Sequence, residues 1–391
     1  HIYSAMARGL SIKGYDPHGF LDILDGLWWT IDRHLTNEQT RQSARVTFID
    51  SIKNGVTTVF DHHASFGAIK GSLFEIERAA KETGIRSCLC YEVSDRDGKD
   101  KARESVMENA EFIRHALKDD SGMIAGMMGM HAQFTISDET MELAAANKPD
   151  EVGYHIHVAE GIEDLHHCLK HYGKRIVDRL MDFNILGEKT LLGHCIYINP
   201  HEMDLIKDTN TMVVHNPESN MGNACGCPPT MELVHRGILT GLGTDGYTHD
   251  MMESFKVANI LHKHHLCDPN AAWGEVPTML FENNAKIAGR YFDQKLGVLE
   301  EGAAAAGAPV AAAPVAAPAA PAPAAAPAPA AAPAGAAGSV QVTAPMPGKV
   351  VAVKASVGQA VKKGEVVLVL EAMKMENDIV APEDGTIASI N

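Results

Sequence analysis

Between Gly302 and Gly338 the chain is almost wholly Ala, Pro and Gly, and no single core can run through such a segment. It carries no charge and nothing large enough to bury, and its prolines block helix. An extended, semi-rigid tether of the polyproline kind is expected there, and its contribution is reach. The 391 residues therefore read as a large domain over 1–301, a linker over 302–338 and a small domain over 339–391. A net charge of −16 argues against nucleic acid or an anionic membrane as the main partner. No apolar run approaches the ~18 residues a spanning helix needs, so no membrane span is expected. There is no secretory signal, and because the chain starts at His1 an upstream segment is expected. Seven cysteines are an odd number and mostly sit in apolar stretches. They read as buried free thiols of a cytoplasmic protein rather than a disulfide framework. Cys225-Gly226-Cys227 is too tightly spaced for a metal or redox CxxC pair and reads as loop.

From Ser339 onward the pattern becomes short β-rich runs broken by Gly and Pro: Val340–Val342, Lys349–Val353, Glu365–Leu370 and Asp378–Val380. The stretch Val342–Val353 repeats at Ile379–Ile390. Two similar half-sheets packed face to face would make a flattened all-β barrel, with the turn between the halves at Ala372–Met375. Lys374 sits at the centre of that turn, within Glu371-Ala-Met-Lys-Met-Glu376. This segment resembles the biotinyl (biotin carboxyl carrier) family. The resemblance implies biotin covalently attached to Lys374 and a biotin protein ligase as partner, which needs a protruding lysine on a rigid hairpin. A lipoyl domain is the nearest rival, but it does not normally flank its lysine with methionine on both sides. Nothing after Asn391 matches Ser356–Leu370 of the first half, so closing strands are expected to be missing.

The first 300 or so residues alternate short apolar β-type runs with amphipathic helical stretches, a βα repeat. Strand candidates are 56–60, 87–91, 123–130, 152–158, 190–193, 212–214 and 238–243, with helices such as Asn37–Lys53, Arg103–Leu117, Ile162–Met181 and Asp250–His262 between them. An eighth strand would end at His1, and eight βα units suggest a TIM (β/α)8 barrel. In such a barrel the active site is built at the C-terminal ends of the strands. Those ends carry His1, then Asp61-His62-His63, His131, His157 with Glu160, His194, His215-Asn216 and Asp245. One histidine ending a strand is ordinarily a cap or a core residue. Seven strand ends each delivering His or Asp to one rim instead suit a divalent ion such as zinc or iron(II). His262, His264 and His265, and also His166 and His167, read as solvated helix faces.

The ordered set His155-Ile-His-Val-Ala-Glu160, Leu192-Gly-His-Cys195, Val214-His-Asn-Pro-Glu-Ser-Asn-Met221 and Gly241-Leu-Gly-Thr-Asp-Gly246 resembles the amidohydrolase superfamily. Within it, the resemblance is to the aminohydrolase and chlorohydrolase branch, in particular the SsnA-like aminohydrolases, and Gly55-Val-Thr-Thr-Val59 adds to it. The resemblance implies His157 as a metal ligand and Asp245 as both ligand and the base that collects the proton of the attacking water. It implies that Glu160 carries a proton to a ring nitrogen and that His194 polarises or orients the attacked centre. His131, His215 and Asn216 read as substrate contacts, His131 equally as a strand-end cap. Trp28-Trp29 could stack on a planar substrate or form a helix packing face. The family's His-x-His pair at the end of strand one has only its second member here, His1, as a further metal ligand. The strands of the family's β-sandwich are also expected to be absent from both ends of the barrel text.

The leading expectation is a hydrolase acting on a cyclic C–N bond of a small heterocycle, a deaminase of the cyclic amidine type, with dechlorination of an aromatic ring as a related option. A second is a biotin carboxyl carrier of a biotin-dependent decarboxylase or carboxyltransferase, partnered by its other subunits, with the barrel not contributing. A third makes the barrel itself the carboxyltransferase. The layout of barrel, Ala/Pro tether and biotinyl domain matches the alpha chain of oxaloacetate decarboxylase, but layout is only analogy. A homo-oligomer is the expected assembly.

Overall fold

The computed structural model describes residues 1–298, 349–372 and 375–388. The tether, the Val340–Val342 run and Lys374 lie outside the described residues. The chain forms two compact units, His1–Val315 and Ala316–Asn391.

In the first unit the helix Asn37–Lys53 starts on a reciprocal cap, with the Thr36 hydroxyl accepting from the Gln39 N–H and the Gln39 side chain accepting from the Thr36 N–H. It ends at Asn54, and Gly55 turns the chain with φ of 79°, a conformation that costs glycine little. The chain then enters β1 (Thr58–His63). Helices alternate with β2 (Arg86–Tyr91), β3 (Ile124–Gly126), β4 (Met128–Ala132), β5 (Tyr154–Val158), β6 (Leu191–His194), β7 (Met212–His215) and β8 (Thr240–Leu242). All pairings among them are parallel, in the orders β1-β2-β3 and β4-β5-β6-β7-β8. A parallel bridge between Val93 and Met130 links the two sheets. This is the expected TIM-barrel-like α/β fold. Every residue of β2, β4 and β6 is buried, as befits parallel strands covered on both faces.

Two expectations change. The run 123–130 is not one strand: it breaks at Met127 into β3, which pairs with β2, and β4, which pairs with β5. Gly129 makes the second half possible, since a Cβ there would stand 2.3 Å from the Tyr91 carbonyl oxygen. The helix expected over Ile162–Met181 is two helices, Ile162–Tyr172 and Ile176–Asp182, because Gly173 closes the first in a left-handed conformation. Among the described residues β1 and β8 are not paired with each other. A cavity of about 480 Å³ lined by both runs inward to His1, His62, His157 and Asp245.

The second unit has an antiparallel sheet in the order β12-β11-β9 and a two-stranded pair β10-β13. These are β9 (Lys349–Val353), β10 (Ala360–Val361), β11 (Val366–Ala372), β12 (Met375–Val380) and β13 (Gly385–Thr386). Val361, Val367 and Ile379 from both sheets pack into one small core with Ala355 and Ala381. The β11–β12 ladder runs to the pair Ala372–Met375, which brackets the position of Lys374.

Candidate active site

The rim residues come from strand ends that turn sharply. Ala159, His194, Cys195 and Asp245 all have positive φ, between 50° and 69°. Non-glycine residues adopt this conformation at some cost and gather where a site over-determines them. Here the turns after β5, β6 and β8 aim Glu160, His194 and Asp245 at one another. One ligand atom from each lies within 4.8 Å of the other two.

Asp245 is the centre of this arrangement. Its Oδ1 lies 2.8 Å from His1 Nε2, and its Oδ2 accepts a hydrogen bond from the Ser219 hydroxyl. His1 Nε2 is in turn 3.1 Å from His157 Nε2. Burial alone would raise the Asp245 pKa, but His1 beside it holds the carboxyl well below the usual range. Burial works against the His1 imidazolium, yet Asp245 and then Asp61 override it and push the pKa up to about 9. His157, whose Nδ1–H donates to the His131 carbonyl at 2.9 Å, is held neutral chiefly by burial. Glu160 is the contrasting carboxyl: burial pushes it up to about 7. It stands 3.5 Å from His194 Nε2. His194 gives its Nδ1–H to Asn220 Oδ1 at 2.7 Å, which leaves Nε2 facing the site without a partner.

A second, smaller cavity of about 40 Å³ opens on the same atoms. Its walls are Phe20, Leu24, Trp28 and Trp29, with Glu92, His131, Glu160 and Asp245. Trp28 ends a π-helical turn, Leu24–Trp28, inside the Phe20–Asp32 helical stretch, the kind of bulge that recurs at functional sites. The two tryptophans both pack against an apolar cluster and line this cavity. His131 lines the cavity and is fixed by Thr135 Oγ1 at 2.8 Å. Asn216 lines the larger cavity.

His215 stands elsewhere. It is buried behind the rim, with its Nε2 3.2 Å from His262 Nε2 and its Nδ1 3.4 Å from Asn220, and it lines neither cavity described. His262 corrects the sequence reading: it is not a solvated helix face but 1% exposed, and its Nδ1 is 3.6 Å from Cys227 Sγ. His264, His265 and His166 are exposed, and His167 is half-buried. All seven cysteines are free, and Cys225 and Cys227 lie in a loop.

Two rim residues had no role assigned from sequence: His62, named only within the Asp61-His62-His63 strand end, and Glu92, not named at all. His62 groups with His1 and His157, one ligand atom from each within 4.8 Å of the others. Glu92 is buried in the smaller cavity's wall and takes a hydrogen bond from Arg96 at 3.3 Å. Arg96 also makes a two-point ion pair with buried Asp32, at 2.6 and 3.2 Å. Both positions were visible as strand ends, since His62 lies in the last turn of β1 and Glu92 directly follows β2.

Residues 1–352 match the amidohydrolase family, and residues 340–391 match the biotin-requiring enzyme family. A 5'-deoxyadenosine deaminase of Methanopyrus kandleri is 30% identical over 283 residues, covering 71% of this chain and 63% of the relative. A 5-methylthioadenosine/S-adenosylhomocysteine deaminase of Thermococcus onnurineus is 29% identical, covering 77% and 70%. The chain thus spans a little under two thirds of the length of the Methanopyrus relative. Among solved structures, guanine deaminase from C. acetobutylicum with bound guanine aligns with a TM-score of 0.66 at 21% identity, over 75% of this chain and 72% of that one. A zinc-bound atrazine chlorohydrolase from Arthrobacter aurescens aligns at 0.63 and 20%, over 77% and 76%. These two share the fold. Among the described residues no helix is long and apolar enough to cross a membrane.

Proposed function

The chain belongs to the amidohydrolase family, and from that premise we propose that its barrel, over 1–301, is a metal-dependent hydrolase of the aminohydrolase type that deaminates a heterocyclic amidine. Over 302–338 it is tethered to a domain, 339–391, that carries biotin on Lys374. The observation that carries the first part is the gathering of two carboxyls and three imidazoles on one rim, with Asp245 2.8 Å from His1, and Glu160, His194 and Asp245 each offering an atom within 4.8 Å of the others. One carboxyl beside the histidines and a second, buried one a short step away suit a base and an acid working on one substrate.

The residues present fit a metal. Two ligand atoms at about 2.1 Å from one tetrahedral ion stand roughly 3.4 Å apart, and His1 Nε2 lies 3.1 Å from His157 Nε2 and 2.8 Å from Asp245 Oδ1. We assign these three as ligands and zinc as the ion. A divalent ion there would supply the Lewis acidity that makes water a nucleophile near neutral pH. Asp245 collects the proton from the attacking water, and the Ser219 hydrogen bond keeps its second oxygen in place for that. Glu160 gives its proton to the ring nitrogen beside the attacked carbon, and His194 Nε2 orients that carbon's leaving amine. His131, in the wall of the smaller cavity, contacts the ring's remaining polar edge, Asn216 lines only the larger cavity, and His215 acts on His194 through Asn220.

The smaller cavity narrows the substrate. Aromatic walls suit a planar ring, and among the described residues lining it there is no lysine or arginine. Arg96 nearby is neutralised by Asp32 and Glu92. These walls favour an uncharged amidine over a phosphorylated one, and at about 40 Å³ the cavity takes only the reacting edge of the ring. The test is ammonia release from a panel of adenosine analogues, S-adenosylhomocysteine and guanine, with chloride release from a chlorotriazine as the rival. Turnover of the phosphorylated analogues alone would contradict the pocket reading, and chloride without ammonia would favour dechlorination. The match at 340–391 favours a second role, biotin carriage, which makes a biotin protein ligase the partner and leaves room for decarboxylase subunits as recipients. Cytoplasmic placement and a homo-oligomeric state are part of the same proposal.

A further inference from the structure

We propose that His62 is a ligand of the same metal centre, an inference that rests on the metal reading above and adds a residue to it. Its ring lies 4.5 Å from that of His157 and 5.4 Å from that of His1, centroid to centroid. One ligand atom from each of the three falls within 4.8 Å of the other two. What distinguishes His62 from the other buried histidines is how its protons are disposed.

Each of the three rings gives one N–H to a backbone carbonyl. His1 Nδ1 bonds the His62 carbonyl, His157 Nδ1 bonds the His131 carbonyl at 2.9 Å, and His62 Nε2 bonds the Met130 carbonyl at 3.0 Å. A carbonyl on one ring nitrogen fixes the tautomer and turns the other nitrogen's lone pair outward, which is how metal-binding imidazoles are ordinarily oriented. For His62 the other nitrogen is Nδ1. It is buried and has no hydrogen-bond partner, and the nearest acidic group, Glu92, is 3.9 Å away. An orphaned acceptor at 3% exposure is costly unless something electropositive completes it. The adjacent His63 also leaves its Nδ1 without a partner, and Asp61 its Oδ2, but the His63 Nε2 is bonded to the Ser65 side chain and its ring packs edge-on against Tyr3 and Tyr91. Of the Asp61-His62-His63 triplet, the middle residue is the one whose ligand atom falls with those of His1 and His157.

The full chain, stripped with a chelator, is titrated with Zn²⁺ and separately with Co²⁺, whose visible absorption reports ligand number. Melting is recorded for apo and zinc-loaded protein, so that the zinc-induced rise in Tm is read independently of each variant's own stability. His62→Ala and His62→Gln are compared with His157→Ala; the glutamine amide can still donate to the Met130 carbonyl if alanine fails to fold. His62 variants should bind zinc more than ~100-fold more weakly, beyond the 10–100-fold that an outer partner's loss costs. They should also lose the Tm rise and change the Co²⁺ spectrum. A wild-type chain that takes up no zinc overturns the metal reading and this inference together. Binding that His157→Ala abolishes while both His62 variants keep the wild-type affinity and spectrum overturns this inference alone.

Discussion

The barrel rim assembles His1, His62, His157, Glu160, His194 and Asp245 from five separate segments, His1 ahead of a short 3-10 helix and the others at strand ends or the turns after them. The C-terminal unit concentrates its proposed chemistry at one lysine bracketed by a single two-stranded ladder. The first kind of site exists only when a long chain closes on itself. The second needs little more than a hairpin and the small core of Val361, Val367 and Ile379 behind it. This contrast predicts opposite sensitivities. Single substitutions at the rim should act on each other's chemistry, while the carrier should behave as an isolated residue that either is or is not modified.

The sharpest expected effect is at the isolated residue. Lys374→Arg should remove every trace of streptavidin signal after incubation with a biotin ligase, because no other lysine sits in an Ala-Met-Lys-Met setting. Ammonia release by the barrel should not change. A surviving signal would refute the assignment. Asp245→Asn is the mirror image. The neutral amide can neither collect the proton nor balance His1, so turnover should fall below detection while biotinylation continues, with circular dichroism confirming the fold. Glu160→Gln should be smaller, ~10²- to 10⁴-fold in kcat with KM little altered, as for a lost proton donor. If only KM rose, Glu160 would be an anchor for the substrate.

Legibility in the sequence followed the same divide. The carrier's β9 and the helix Asn37–Lys53 fall on the bounds read from sequence, because a local cap, a glycine or a β-rich run decides each. The rim was legible as a list of strand ends, since a parallel barrel collects its strand C-termini on one face. Which of those residues point together was not. His62 and His63 are neighbours of identical type, and only contacts with His157 on one side and Tyr91 on the other separate them. His262 sits among polar helix residues and reads as solvated, but its burial is made by His215, distant in the chain. The break at Met127 depends on how closely Gly129 must approach Tyr91, which an unbroken apolar run does not reveal.

The smallest expected effect is none at all, and it tests the comparison most directly. If rim and carrier are independent, cutting between them should leave each as it was. The segment 302–338 has no lysine or arginine, so trypsin has no site in it, whereas an elastase, which cuts after small aliphatic residues, has many. A carrier that served this barrel would need a carboxyl-transfer site at the rim. The residues there are instead the carboxyls of Asp245 and Glu160 among histidines, which suit the water activation and proton delivery proposed above. Elastase should therefore release a small fragment that keeps the streptavidin signal. The barrel's Tm should stay within a degree, and ammonia release should be the same with and without biotin on Lys374. A Tm shift of several degrees on cleavage, or turnover that requires biotinylated Lys374, would mean that the barrel and carrier are energetically coupled.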